Sequence, residues 1–574
     1  MEGNLAERDG VAVSRERLAQ YAGLLAALAI CQVSILDPDL PWHLSAARGI
    51  LASGGVPHRD VLSWTMAGQP WVDFEWGSEL IFYGLERLGG TAALWLFRAA
   101  ALFAATLLFV GLLRLWKIPR TWTGLAAPAF AASLFPLFGV RPEIFSMLFF
   151  LVELQLLERR RLGAFRRADG RFVLLHAVLY AAWANLHAGF AAGLALCACY
   201  AVGELLERRE RRVPVPAMAC AAGLLGTFAN PYGARIYDVL FDHWRHIGVL
   251  SRLIEEWKAP DLLKTYLSGY WLLVVFSFTG LLLAARQGLA LPAEHVAAVA
   301  AFAFFGSRSV RTTAYVMLVV FPLGLNAWGR LALTARARRA LALAAALAVP
   351  FIAWRGFTWA GSLRFLGWPP PMEAQGPVRT FAFLRKEKAA LSGLRLFNPY
   401  NWGGSLGYAL GPDYKVFIDG RYIFADLLAV VDRAERDPAA FRQFVDDHDI
   451  GVAVEENDGV TLRYPWDSRG RPYIAYALPR VDWALVYWDS DAIVLVRRSF
   501  VSPRWLASRE FRWIRPDDLH QLGLYIVSGV APAGAVEAEI ERYRREIGDP
   551  RETAVLTSWF SEFKRGLPAR AGRR

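Results

Sequence analysis

The chain has 574 residues, of which 55% are hydrophobic and 20% are charged, and its formal net charge is +12. That length exceeds the size at which a single hydrophobic core stops growing, and the composition is too apolar for an ordinary soluble protein. The basic balance does not indicate nucleic-acid binding, because the arginines form short clusters between apolar runs, as they do in the cytoplasmic loops of membrane proteins. All four cysteines lie inside apolar segments, so the sequence predicts neither a disulfide framework nor a thiolate zinc site.

In chain order, the apolar runs predict about eleven membrane-spanning helices, because a helix that crosses a bilayer needs about twenty mainly apolar residues. The predicted spans begin near Leu18, Ala99, Trp122, Ile144, Phe172, Phe190, Val215, Leu267, Leu289, Thr312 and Ala340. The arginine-rich connections then all fall on one side, which is predicted to be cytoplasmic. These connections are Arg114–Arg120, Arg159–Arg171, Arg208–Arg212, Arg286 and Arg330–Arg339. An odd number of spans places the N-terminus in the cytoplasm and everything after Trp354 outside.

The sequence therefore predicts a polytopic α-helical membrane protein with a C-terminal extracytoplasmic α/β domain. The predicted parts are a cytoplasmic segment (1–17), a transmembrane domain (18–354) with its first outer loop at 37–98, the α/β domain (355–500) and a helical extension (501–574). In the α/β domain, short runs such as RLFN, KVFID, IGVAVEE and AIVLVRR alternate with helical segments. Amphipathic stretches near His43–Leu51 and Ser78–Leu88 predict helices that lie in the membrane interface.

The motif DPDLPWHL places two carboxylates, Asp37 and Asp39, where the first span leaves the membrane, with His43 one helical turn further on. If both carboxylates face one substrate, mutual repulsion and partial desolvation raise one pKa, and such a group can act as a general base. The alternative is that the two aspartates only cap the helix that follows them.

The rest of the same loop supplies five further polar side chains among several tryptophans, namely His58, Asp60, Asp73, Glu75 and Glu79. So many acids beside a bilayer are costly unless water or a ligand compensates them, which favours a functional site over a tryptophan belt. Oxygen-rich ligands suit Mg²⁺ or Mn²⁺, so the sequence predicts one of these ions if the site holds a metal. The predicted metal ligands are Asp37, Asp39 and Asp73.

Basic and polar residues near the outer ends of other spans form a second group. An arginine in an apolar segment usually pairs with an anion, so the sequence predicts that a lipid phosphate is bound by Arg141, Arg308 and Arg311. Snorkelling to the interface is the alternative, and Glu294 with His295 could be structural partners. Asn185 and His187, in WANLHAGF, are predicted either to pack with satisfied hydrogen bonds or to contact the substrate. The segment with Glu255, Glu256 and Lys258 is predicted to be an interfacial helix that could cover the lipid.

DPDLPWHL, followed by G-x-P, D-x-x-S-W-T and W-V-D-x-E-W, resembles the first outer loop of a bacterial membrane protein group similar to GT-C glycosyltransferases. That superfamily includes the oligosaccharyltransferase catalytic subunit, protein O-mannosyltransferases and the lipid A aminoarabinose transferase. The resemblance implies that Asp37 or Asp39 acts on the acceptor or holds a metal. The mannosyltransferases carry adjacent Asp-Glu in this loop, whereas DPD and DFE are closer to the D-x-D pattern of oligosaccharyltransferases, so the base and metal roles could be exchanged.

FNPYNWGG and KVFIDGRY, in the predicted α/β domain, also resemble motifs of that bacterial group. The resemblance implies acceptor recognition, with Trp402, Asp419 and Arg421 as the contacts. A glycine-rich turn can bind an anion at a helix start, but a tight turn that serves packing alone is the other interpretation.

The combined prediction is an inverting GT-C-type glycosyltransferase in a bacterial inner membrane. It would bind membrane lipids and move a sugar from a polyprenyl-phosphate donor to a glycan, lipid or protein acceptor on the extracytoplasmic side, with no nucleic-acid partner. A transporter or flippase of lipid-linked sugars is the main alternative, since intramembrane charges also line transport paths. A noncatalytic assembly protein with an outer binding domain is the third.

Overall fold

The computed structural model describes residues 2–33, 37–134, 139–165, 169–207, 214–264, 267–362, 372, 375–457, 461–462 and 471–566. The chain divides into two compact units. The helical unit comprises Met1–Leu40, Ala46–His58 and Val72–Pro370, and the α/β unit comprises Pro41–Ser45, Arg59–Trp71 and Pro371–Arg574. The predicted arginine connection at 208–212 lies outside the described residues.

Helices make up the first part of the chain. In order they are α1 (Glu2–Cys31), α2 (Leu40–Ser53), α3 (Trp76–Leu115), α4 (Arg120–Ser133), α5 (Glu143–Arg161), α6 (Asp169–Ala184), α7 (Phe190–Leu206), α8 (Val215–Gly226), α9 (Ile236–Arg245), α10 (Ile247–Leu253), α11 (Ser268–Arg286), α12 (Ala293–Gly306), α13 (Thr313–Arg330) and α14 (Ala335–Ser362). Each of the predicted spans overlaps one of these helices. By length and hydropathy, four described segments are long and apolar enough to cross a membrane, namely Trp76–Leu115, Ser268–Arg286, Val310–Arg330 and Ala335–Arg355.

The third helix starts earlier than hydropathy predicts, because α3 begins at Trp76 rather than near Ala99. Gly89 and Gly90 interrupt its helical backbone, and Gly90 has a φ of 60°, a left-handed conformation that glycine adopts without a steric penalty. The stretch Ser78–Leu88, predicted as a separate interfacial helix, is therefore the first half of a kinked helix. The first loop is correspondingly shorter than predicted.

A buried polar network surrounds Glu158, near the C-terminal end of α5. The Glu158 carboxylate accepts hydrogen bonds from Tyr200 (2.6 Å), Arg161 (2.8 Å) and Trp116 (2.6 Å), and His295 Nε2 lies 2.8 Å away. The sequence offered Glu294 and His295 as structural partners. In the structure His295 pairs with Glu158, near the end of α5.

The α/β unit is built on a four-stranded sheet. The strands of this unit are β1 (Arg395–Phe397), β2 (Ile450–Glu456), β3 (Thr461–Leu462), β4 (Arg471–Pro472), β5 (Trp483–Trp488) and β6 (Ala492–Arg497). Strands β3 and β4 form a separate two-stranded ribbon, and the other four form the sheet. The sheet order is β1-β2-β6-β5, in which only the β1–β2 pair is parallel. The helices are α15 (Val378–Lys386), α16 (Lys388–Leu391), α17 (Gly403–Leu410), α18 (Ala425–Ala434), α19 (Pro438–Asp447), α20 (Tyr473–Ala477), α21 (Pro503–Arg509), α22 (Leu519–Val527), α23 (Ala533–Glu546) and α24 (Pro550–Gly566).

Part of the first loop folds with the α/β unit rather than with the helices around it. The backbone N–H of Trp64 donates to the Val416 carbonyl at 3.1 Å, and the Trp64 indole donates to Leu396 at 2.8 Å. KVFID, predicted as a strand, forms only this bridge to the loop. The C-terminal helices pack into the same core, where Leu522 and Tyr543 are buried, so they are part of this unit.

Candidate active site

Arg141, in the connection between α4 and α5, binds three carboxylates of the helical unit. Its Nε donates to Asp37, and its Nη2 lies 3.1 Å from Asp39 Oδ2. Its Nη1 donates to Glu256 Oε2 at 2.8 Å. Glu256 comes from a short 3-10 helix, Glu255–Trp257, so one guanidinium joins the first loop to the loop that precedes α11.

The two aspartates of the DPD motif have different surroundings. Asp37 is buried, its Oδ1 accepts the Asp39 backbone N–H at 3.0 Å, and a Cβ on Gly139 would overlap its other oxygen. The side chain of Asp39 is 25% exposed and makes no capping bond to α2, although Asp39 is the residue before that helix. Burial raises the pKa of Asp39 to about 7, against the opposing effect of Arg141. Asp39 is thus the accessible carboxylate of the pair.

Arg311, just before α13, forms the second ion-pair centre. Its Nη2 donates to Glu143, the first residue of α5, and its Nη1 donates to Glu256 Oε1 at 3.2 Å. The guanidinium also lies over the Trp257 ring, 5.4 Å from its centroid. Burial alone would raise the pKa of Glu256, but Arg311 and Arg141 hold it below its usual value. Glu256 therefore bridges the two arginines as an ionised carboxylate.

His187 lies beside these groups in one defined tautomer. Its Nδ1 accepts the Gly189 backbone N–H at 3.1 Å and lies 2.7 Å from Ser146 Oγ, which in turn accepts the Trp183 indole N–H. Since Nδ1 accepts, the proton is on Nε2, which lies 3.6 Å from Glu75. Burial lowers the pKa of His187 to about 4, so the ring is neutral at neutral pH.

A cavity of about 250 Å³ opens next to Arg311 within the helical unit. Glu143, His187, His243, Trp257 and Arg311 form its polar part, and Met147, Ala191, Ala192, Val239 and Leu240 are among its apolar walls. A guanidinium at the edge of an apolar cavity suits a ligand with an anionic head and a hydrocarbon chain.

The carboxylates of this site also fit a divalent cation. Glu75, Glu143 and His187 each offer one ligand atom, and these atoms lie within 4.8 Å of one another. Burial and the charge of Glu143 raise the pKa of Glu75 well above its usual value, as expected where acidic groups outnumber their cationic partners. The predicted ligands Asp37 and Asp39 contact Arg141 instead, and Asp73 is buried.

The residues predicted to contact the acceptor in the α/β unit lie in or near its core. Arg421 is fully buried, donates to Asp419 at 2.9 Å and to Asp60 at 2.5 Å, and stacks over Trp71. A Cβ on Gly403 would overlap the Ile418 carbonyl, so the glycine after Trp402 serves close packing. These ion pairs and close contacts give the residues of FNPYNWGG and KVFIDGRY a structural role.

The remaining predicted residues fall in several places. Asn185 donates to the carbonyls of Ala181 and Ala229 and accepts the Trp76 indole N–H, so its amide is fully used. His58 is exposed against Tyr232, and Arg308 is exposed and stacks on Phe304. His43 and Asp60 group with the α/β unit, apart from the other residues of the acidic loop.

Two acids and a hydroxyl of this site had no assigned role in the sequence. Glu143 follows Arg141 by two positions in VRPEIF, and Ser146 lies one turn further along α5. Glu256 was noted only as part of a possible interfacial helix. The signal that could have found Glu143 is its place at a span end beside an arginine, where a compensating acid is expected.

No protein-family model matches the chain, and no curated protein matches it. Among solved structures, it is similar to the Archaeoglobus fulgidus oligosaccharyltransferase tethered with an acceptor peptide containing the NVT sequon, with 11% identity, a TM-score of 0.53, and coverage of 92% of this chain and 87% of that chain. It is also similar to the oligosaccharyltransferase AglB of Archaeoglobus fulgidus in complex with an inhibitory peptide and a dolichol-phosphate (10% identity, TM-score 0.50, 76% of this chain and 69% of that chain).

A third similar structure is ArnT from Cupriavidus metallidurans bound to undecaprenyl phosphate, with 15% identity, a TM-score of 0.45, and coverage of 86% of this chain and 99% of that chain. At these identities the likeness concerns the fold. The chain is a polytopic α-helical membrane protein of the GT-C glycosyltransferase fold, with a C-terminal α/β domain.

Proposed function

We propose that this protein is an inverting glycosyltransferase that moves a sugar from a polyprenyl-phosphate donor to an acceptor, on the extracytoplasmic side of a bacterial inner membrane. One observation carries the proposal. A partly exposed carboxylate, Asp39, is joined through Arg141 and Glu256 to Arg311, which borders an apolar-walled cavity. A base and an anion-binding group thus belong to one connected set of side chains.

Asp39 is the proposed general base. Its carboxylate is the more accessible of the two aspartates, and a pKa of about 7 suits proton transfer near neutral pH. Asp37 is a positioning residue in this proposal, since it is buried and holds the Nε of Arg141. Substituting either aspartate is expected to lower activity, but for different reasons.

Arg311 and Arg141 are proposed to bind the donor phosphate, and Arg308 to assist from the surface. The acceptor oxygen would attack the anomeric carbon while its proton passes to Asp39. The bond from that carbon to the phosphate oxygen would break, its electron pair leaving with the polyprenyl phosphate. Guanidinium groups stabilise such a leaving group by hydrogen bonds that strengthen as charge develops. A similar structure of an oligosaccharyltransferase holds a dolichol-phosphate, which supports a polyprenyl-phosphate ligand.

A divalent cation held by the Glu75 and Glu143 carboxylates, with His187 beside them, would add charge neutralisation of the leaving phosphate. The metal ligands predicted at Asp37, Asp39 and Asp73 remain a second proposal. The acceptor contacts predicted at Asn185, His187, Trp402, Asp419 and Arg421 also remain predictions.

The test is transfer of labelled sugar from a panel of polyprenyl-phosphate sugars by the purified full-length protein in lipid nanodiscs, measured as release of polyprenyl phosphate. We expect release with wild type and a large loss with Asp39→Asn. Equal release by both proteins would reject the catalytic proposal. Labelled lipid that crosses a proteoliposome membrane without being cleaved would favour the transporter alternative.

A further inference from the structure

A second polar cluster lies inside the helical bundle and plays no part in the proposed reaction. It consists of Glu153 on α5, His176 on α6, Cys197 on α7 and Cys220 on α8, and is called here the interhelical cluster. One ligand atom each from Glu153, His176 and Cys197 lies within 4.8 Å of the other two, and all three residues are fully buried. Glu153 is about 15 Å along α5 from Glu143, given 1.5 Å per helical residue. We propose that the interhelical cluster is a zinc-binding site.

The orientation of the histidine ring supports a metal ligand. His176 Nδ1 lies 2.7 Å from the Phe172 carbonyl oxygen, which can only accept, so the proton is on Nδ1. The lone pair of Nε2 then faces Glu153 Oε2 at 3.3 Å. Histidines that bind a metal usually donate their other N–H to a carbonyl or carboxylate in this way.

The carboxylate of Glu153 is weakly paired for a buried acid. Its Oε2 lies 3.3 Å from His176 Nε2, but within the described part of the chain neither of its oxygens, nor the Tyr180 hydroxyl beside it, makes a hydrogen bond of good geometry. Buried polar groups are paired in the large majority of cases, so an unpaired one calls for an ion, a water molecule or a proton. A cation would satisfy the Glu153 oxygen and the His176 lone pair together.

The sulfur ligands determine which cation fits. The Cys197 thiol donates to the Pro216 carbonyl at 3.2 Å, and the Cys220 thiol donates to the Leu194 carbonyl at 3.7 Å. Cys220 interacts with Cys197 and is the candidate for a fourth ligand. A set of one imidazole, one carboxylate and two sulfurs is typical of zinc and unlike the all-oxygen sets of magnesium or calcium. Zinc bonds of about 2.0 to 2.3 Å in tetrahedral geometry separate ligand atoms by about 3.5 Å. The Glu153 and His176 atoms are already 3.3 Å apart.

The surrounding helices hold the cluster together, and sequence spacing gave no sign of it. Gly226 on α8 allows close contact with α6, because a Cβ there would overlap the Ala177 carbonyl. Cys197 and Cys220 both lie inside apolar segments, and the sequence predicted no thiolate zinc site on that ground. Four helices supply one ligand each, an arrangement that no local motif reveals.

The experiment measures zinc in the full-length protein, purified from zinc-supplemented cells with a histidine-free tag and analysed by inductively coupled plasma mass spectrometry. We expect about one zinc per chain in wild type and less than about a tenth of that in His176→Gln and Cys197→Ser. Cys199→Ser is the matched control, because Cys199 is on the same helix and outside the cluster, and it should keep its zinc. His187→Gln should also keep it, which separates this site from the proposed active site.

Wild-type protein that elutes as a single species with less than about a tenth of a zinc per chain would overturn the proposal and leave a shared proton as the occupant. Full zinc in both cluster variants would overturn it as well. If the variants aggregate, the test uses the absorption spectrum of cobalt-substituted wild-type protein. Thiolate-to-cobalt absorption in the near ultraviolet is expected, and its absence from cobalt-loaded protein would refute a sulfur-ligated site.

Discussion

Arg141 Nη2 lies 3.1 Å from the Asp39 carboxylate, and Asp39 is the more exposed of the two aspartates that this arginine binds. Because an amide cannot accept the acceptor proton, Asp39→Asn is expected to lower kcat by about 10² to 10⁴-fold, the usual contribution of a general base. Donor binding should be retained, since Arg141 keeps Asp37 and Glu256. Steady-state transfer of labelled sugar and lipid binding to the variant check both parts.

Asp238→Asn is the matched control for that variant. Asp238 is an exposed acid of the helical unit that makes a 3.6 Å contact with Arg235, one turn earlier. It should transfer sugar at the wild-type rate. An Asp39→Asn protein that keeps more than about a tenth of wild-type kcat would exclude Asp39 as the base.

The pH profile of the reaction should report the titration of Asp39. Burial raises its pKa to about 7, and only the unprotonated carboxylate can accept a proton, so activity should be lost as the pH falls through that value. Below it, kcat/KM is expected to fall about tenfold per pH unit, and above it the profile should level off. Thermal unfolding over the same range controls for loss of fold. A flat profile from about pH 5 to about pH 8 would contradict the assignment.

Gly139 controls the position of Asp37. A Cβ at this position would overlap the Asp37 oxygen that Arg141 binds, so Gly139→Ala is expected to displace the carboxylate and lower transfer about 10-fold to 100-fold. Gly49→Ala, in α2, is the control, because nothing lies within 4 Å of its added methyl group. Both rates are measured on monodisperse protein. Similar rates for the two variants would mean that the Asp37 position does not matter.

Part of the candidate site follows from the sequence, because charge next to an apolar run needs compensation. That rule selects Asp37, Asp39, Arg141 and Arg311 from the sequence alone. It cannot say which acid compensates which arginine, since Asp37 and Arg141 are 104 positions apart. Glu143 was not predicted as a site residue, because an acid in the first turn of a helix is common and needs no further explanation.

The fold was predictable where hydropathy has a clear period and less so where distant segments meet. The helices follow from long apolar runs, but the start of α3 at Trp76 depends on a kink at Gly89 and Gly90 that leaves the helix continuous. Asp60 was grouped with the other loop acids, yet it pairs with Arg421, 361 positions away. Periodicity carries no information about a contact at that separation.

Arg311 is expected to determine donor binding. Its planar guanidinium binds Glu143 and Glu256 at once, and lysine, with a single ammonium group, cannot reproduce that geometry. Arg311→Lys should therefore weaken binding of polyprenyl phosphate by about 10-fold or more, measured by competition with a labelled lipid. Arg235→Lys is the control, since Arg235 is half exposed and has only a weak contact with Asp238. Unchanged binding by Arg311→Lys would remove Arg311 from the phosphate site.

Arg421 provides the test between structural and acceptor-binding roles in the α/β unit. It is fully buried against Asp60 and Asp419, so Arg421→Gln leaves two acids without their cation and should destabilise the unit by about 3 to 5 kcal/mol. Arg436→Gln, which breaks an exposed pair with Asp432, should cost at most about 1 kcal/mol. Denaturant unfolding measures both. If Arg421→Gln instead unfolds like wild type but loses sugar transfer, the residue contacts the acceptor, because a purely structural role predicts reduced stability with normal transfer per folded molecule.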